Sequence, residues 1–279
     1  MKIMKKKKPI LKLEIKVSKD IFMLFLALNL TGYNDENNKK GIHPVRREAR
    51  NLLKEQNWDK KYPYFKKILK KTNPWHLIRE LLKNNKSIKK NKTAAYYFNL
   101  NIKKFAQEPS TRRMWRFLKK YYLKEIKKLF PILKKETTRM MVFIDKPSKN
   151  FKKVILIPNL LDAFWRGYGL KIKNTGYIVV GPGAEKNQGE LMRHEFLHLF
   201  SPQYRISKRF LLEKDHRRAA KIGYIGRNII RKEYIILALN LLYESKILKK
   251  NITQDVIRQK RHFPYLEEVI ELIKKQIKK

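Results

Sequence analysis

Residues 188–200 read QGELMRHEFLHLF, and inside them His194-Glu195-Phe196-Leu197-His198 forms an HExxH sequence set among apolar neighbours. Positions four apart on a helix lie about 40° around the axis, so both imidazoles project from one face with Glu195 beside them. The flanks predict that helix. Val179-Val180 end a strand-like run, and Gly181-Pro182-Gly183 breaks it. Asn187 with Glu190 resembles a capping box that starts a helix near Gln188, and Pro202 stops it. Leu191, Met192, Phe196, Leu197, Leu199 and Phe200 fill the turns around the motif, which places it on a buried element. Two His and a Glu are costly to enclose unless partnered, and a divalent metal supplies that partner. The competing reading makes both His satisfied core residues and Glu195 an ion-pair partner of a nearby cation.

A catalytic zinc takes three protein ligands and keeps a place for water. The longer motif HExxHxxGxxH is absent, because positions 201 and 204 are Ser201 and Tyr204. Downstream, Asn228 to Leu248 reads as a second buried helix whose apolar stretch is too short for a bilayer. Glu233 and Glu244 flank that stretch on one face, about 16 Å apart, so only one can reach a metal held by the two His. Glu233 is preferred and Glu244 is the alternative. Either could instead be a surface carboxylate paired with Arg231, Lys232 or Lys246. Glu213 and Asp215 lie in a polar stretch and read as solvated.

The HEFLH motif followed by Pro202, then Glu233-Tyr234-Ile235-Ile236-Leu237-Ala238, resembles the gluzincin side of the zincin metallopeptidases. Within it the chain is most similar to a poorly characterised bacterial metalloprotease family. There an HEFxH helix is followed by a helix bearing Glu and, five residues on, Ala. That family often has Arg just before the Ala, where this chain has Leu237. The similarity extends to the strand and hydrophobic helix near the N-terminus and to Phe263-Pro264-Tyr265 before a last helix. It implies a zinc-dependent hydrolase acting on peptide or protein substrates. His194, His198 and Glu233 would be the zinc ligands, and Glu195 the general base for a water activated by the metal. Tyr224, Tyr234, Tyr243, His262 and Tyr265 are candidates for stabilising the oxyanion.

The expected fold is α+β, mainly helical and zincin-like, with a small mixed sheet before the HExxH helix. Met140–Ile144, Val154–Ile157 and Tyr177–Val180 read as strands. Tyr177–Val180 resembles the edge strand along which a zincin's peptide lies, and it is equally compatible with plain sheet core. Leu11–Val17 alternates like a strand, and Ser18 caps a helix from Asp20 to Leu30 that ends at Gly32. Basic amphipathic helices follow from Pro44 to about Lys135, broken at Asn73-Pro74, at Asn84–Asn91 and near Pro109. Two regions are expected: 1–135, basic and helical with a short first strand, and 136–279, with the sheet, the HExxH helix and the third-ligand helix.

Lys5–Lys8 followed by the apolar run Ile21–Leu30 imitates a secretory signal. Charges at Glu14, Lys16, Lys19 and Asp20 intervene, no small-x-small pattern follows, and an amphipathic start to a folded domain is expected instead. The chain has no Cys and no stretch long enough to span a membrane, and a cytoplasmic location is the expectation. The formal net charge of +44 supports a second functional class. In it the chain is a basic nucleic-acid- or anion-binding protein whose metal site is non-catalytic or vestigial. Against this, the charge is spread along the whole chain and no nucleic-acid-binding motif accompanies it.

Overall fold

The computed structural model describes residues 11–33, 41–55, 57–69, 73–83, 94–144, 152–183, 188–207, 210, 217–218 and 226–277. The chain divides into two compact units, residues 1–132 with 151–191, and residues 133–150 with 192–279.

The first unit holds a four-stranded mixed sheet of β1 (Lys12–Ile15), β2 (Lys153–Pro158), β3 (Gly167–Ile172) and β4 (Thr175–Val180) in the order β1-β2-β4-β3. β2 runs parallel to β1 and to β4, and β3 is antiparallel to β4. Around the sheet are α1 (Lys19–Leu30), α2 (Pro44–Glu55), α3 (Trp58–Lys61), α4 (Tyr64–Leu69), α5 (Pro74–Lys83), α6 (Ala94–Gln107) and the first part of α7 (Pro109–Ile144). Ser18 caps α1 by accepting the amide of Ile21 at 3.3 Å. Ile21 to Asn29 are buried without a break, so α1 is a core helix, in keeping with its apolar run. Phe22 packs against Trp115 and edge-on against Tyr122 of α7, at ring distances of 4.8 and 5.8 Å. Asn29, the polar end of that buried run, donates to the carbonyls of Phe25 and Leu161. It accepts from Arg46 and Arg50, both at 2.8 Å. Each polar atom of this side chain is thereby used, as a buried amide requires.

Three expectations change here. Met140–Ile144 is the end of α7 and not a strand. Buried residues at Leu129, Leu133, Thr137, Met140 and Ile144 keep the three-and-four spacing of a helix face through that run. Tyr177–Val180 lies in β4, which pairs with β2 on one side and β3 on the other, so it is interior sheet and not an edge. The sheet belongs to the first unit, where β1 pairs with β2, whereas the sequence grouped it with the HExxH helix. After β4, Gly181 donates its amide to the carbonyl of Arg166 at 2.8 Å. Any side chain there would collide with the carbonyl of Ala163. That close approach explains a glycine at the break. The proposed cap at Asn187 and the break at Asn84–Asn91 lie outside the described residues.

The second unit is helical among its described residues. It contains the end of α7, most of α8 (Gln188–Phe200), α9 (Arg227–Lys246), α10 (Thr253–Lys260) and α11 (Leu266–Ile277). Phe143 meets Tyr243 edge-on at 5.6 Å, and Tyr234 meets Phe263 at 4.9 Å. α8 gives way to a short 3-10 turn, Ser201–Gln203, where Pro202 has no amide to continue the helix. Arg205 and Gln276 then exchange two hydrogen bonds, of 3.0 and 2.8 Å, tying the exit from α8 to α11.

Candidate metal centre

α8 is packed on nearly every side. Met192, Arg193, Glu195, Phe196, Leu197, Leu199 and Phe200 are buried, and only His194 and His198 keep partly open edges in the last two turns. The i, i+4 spacing sets the two rings side by side, their centroids 5.0 Å apart. With Glu195 they form a group whose ligand atoms all lie within 4.8 Å of one another.

α9 brings the decisive side chain. Glu233, buried on that helix, directs Oε2 to within 3.7 Å of His194 Nε2 and Oε1 to within 3.5 Å of His198 Nε2. Donors about 2 Å from one zinc at tetrahedral angles stand about 3.3 Å from each other. The carboxylate of Glu233 therefore sits at nearly ligand-to-ligand distance from both nitrogens. Two carboxylates are in reach of the imidazoles, and they differ in kind. Glu195 lies beside them on their own helix, whereas Glu233 comes from a second helix and offers one oxygen to each ring. Glu233 thus adds a carboxylate from outside α8 to the group of His194, Glu195 and His198.

The surroundings hold both imidazoles in the uncharged form. Burial, with help from the Arg193 guanidinium, lowers His194 to about 4. Burial, then the nearby His194 and Lys232, lowers His198 to about 3. Both imidazoles are thus neutral at neutral pH, the form that ligates metal. Each ring still exposes an edge, 28% and 21% of its side-chain surface, within otherwise dense surroundings. That opening is what a water or substrate would need.

Glu244, the alternative ligand, is equally buried but is occupied elsewhere. It accepts from Arg193 at 2.8 Å, from Lys250 at 3.0 Å and from Asn240 at 3.3 Å. Neither Glu233 nor Glu244 is the surface carboxylate that the competing reading allowed. Arg193 itself went unnoticed in the sequence. Its guanidinium bonds Asn240 at 2.6 Å, lies 3.4 Å from Glu136 of α7 and covers the Tyr243 ring at 4.9 Å. Only its position directly before His194 hinted at a role. This network braces three helices next to the HExxH turn.

Of the oxyanion candidates, Tyr243 donates to Glu136 at 3.1 Å, and the Tyr234 hydroxyl accepts the amide of Tyr265 at 3.4 Å. The Tyr265 ring packs on Phe210. Tyr224, Glu213 and Asp215 lie outside the described residues. Comparison with protein-family models, with curated proteins and with solved structures finds no match.

Proposed function

We propose that the chain is a zinc-dependent hydrolase of the gluzincin type, with a zincin-like catalytic region, and that it acts as a peptidase. One observation carries this reading: two neutral imidazoles from one turn of α8 converge on a single buried carboxylate from α9, with Glu195 alongside. His194, His198 and Glu233 would hold the ion. Zinc, when bound, supplies Lewis acidity to a carbonyl oxygen and makes a nearby water more acidic.

The residues of the chain do the rest. Glu195 takes a proton from the water that attacks the carbonyl carbon. The C–O bond forms in that first step; Glu195 then returns the proton to the nitrogen of the departing amine as the C–N bond breaks, so no net proton is consumed. Packing of α8 on both sides of the motif keeps Glu195 from swinging away between these two steps, and the exposed imidazole edges leave room for the substrate.

The test joins metal analysis to proteolysis. Purified protein should carry about one equivalent of zinc and digest casein. Glu195→Gln should keep the metal and lose about 10²- to 10⁴-fold in rate. Undiminished cleavage by that variant would remove Glu195 from its role. A protein that refuses zinc would leave only a basic anion-binding function.

A further inference from the structure

The outer face of α7 in the first unit combines charge with exposed apolar surface. Between Pro109 and Ile132 the chain has eight Lys or Arg residues and a single acid, Glu125. Thr111, Met114, Leu118, Tyr122 and Leu129 form the buried stripe of this segment. On the opposite side Leu123 and Phe130, two helical turns apart, are 48% and 49% exposed. Helical spacing puts Arg112, Arg116, Lys119 and Lys127 around them, all exposed.

We propose that this face of α7 docks on a bilayer rich in acidic phospholipid, with the helix lying in the plane of the interface. Leu123 and Phe130 enter the boundary between headgroups and acyl chains, and the four cations meet the lipid phosphates. Charge complementarity selects the partner, because no acidic side chain interrupts this exposed arc. The apolar pair selects a bilayer over a polynucleotide. Phe130 offers a ring for a base to stack on but Leu123 does not, and a convex helix has no groove to track a strand. The helix lies on the membrane and does not cross it, since among the described residues no helix is long and apolar enough to span one. This inference stands apart from the metal centre and does not depend on it.

Because the chain has no Cys, a single one can be introduced and labelled cleanly. Phe130→Cys carrying a nitrobenzoxadiazole probe should brighten about twofold or more and shift to the blue on vesicles of phosphatidylcholine mixed with phosphatidylglycerol. The same probe at Ile257→Cys, an exposed position on α10, should change little. Replacing Arg116, Lys119 and Lys127 by Gln should weaken vesicle affinity on the order of 10- to 100-fold. No change at position 130, or an equal change at both positions, would overturn the proposal. So would a response to oligo(dT) without one to vesicles, which would make this face a nucleic-acid surface.

Discussion

Glu233 and Glu244 are the same residue type, on the same face of α9, with nearly the same burial, 5% and 7% exposed. Their surroundings differ completely. Glu244 is encircled by donors that are already cationic or amide, Arg193, Lys250 and Asn240, and its charge is neutralised within the protein. Glu233 faces two imidazoles that burial keeps uncharged. One end of the helix is an internal ion pair and the other is a carboxylate facing two imidazoles. Burial of a carboxylate therefore says little about its work, and the charge state of its neighbours says most of it.

That contrast can be broken at either end. The largest effect is expected from Glu244→Ala, which removes the nearer of two carboxylates from the buried Arg193 guanidinium and leaves it Glu136 at 3.4 Å. Unfolding by urea should show a loss of about 3–5 kcal/mol. Zinc affinity of the folded variant should fall by no more than about 10- to 100-fold, the range for residues that only orient ligands. A wild-type unfolding curve from Glu244→Ala would mean that the ion pair is not formed.

The next test is pH. Histidines of ordinary pKa, 6.5, would lose roughly 15-fold in zinc affinity between pH 8 and pH 6 as the pair protonates. With both imidazoles lowered to about 4 and about 3, the affinity should stay nearly flat over that interval and drop only as the pH approaches 4. The metal-free fold carries the matching sign. Below pH 6.5 the unfolded chain takes up protons that the folded one refuses. The stability these His residues contribute is therefore present above pH 6.5 and is lost as the pH falls towards 4 and 3. Isothermal titration at several pH values checks the first claim, and denaturation of the apo-protein checks the second. The smallest effect belongs to Lys250→Ala. Its ammonium is 51% exposed where Arg193 is 6%, so this substitution should cost less than about 1 kcal/mol in the same urea measurement.

Much of the second unit was legible because its signals are local. HExxH, Pro202 and the apolar run of α9 each report on a few residues, and helices appear where those residues place them. The sequence preferred Glu233 over Glu244, but the physical difference between them was not legible. It turns on Arg193 reaching Glu244, a contact across 51 residues that no local pattern records. The sheet was harder still. Val154–Ile157 and Tyr177–Val180 were readable as strands, but their order was not, and so β4 stayed open between an edge and plain sheet core. β3 escaped notice because Gly167 and Gly169 dilute its alternation, leaving only Tyr168 and Leu170 pointing inward. Met140–Ile144 has the β-branched and aromatic content of a strand, and only its continuity with the helical stripe of α7 decides otherwise.

In the proposed function Glu233 closes a donor set with His194 and His198. Zinc titration of wild type against Glu233→Ala, both checked for folding by circular dichroism, addresses it directly. Wild type should bind about one equivalent, and the variant should lose more than about 100-fold in affinity, beyond what an orienting residue contributes. Equal zinc affinity in the two proteins would contradict it.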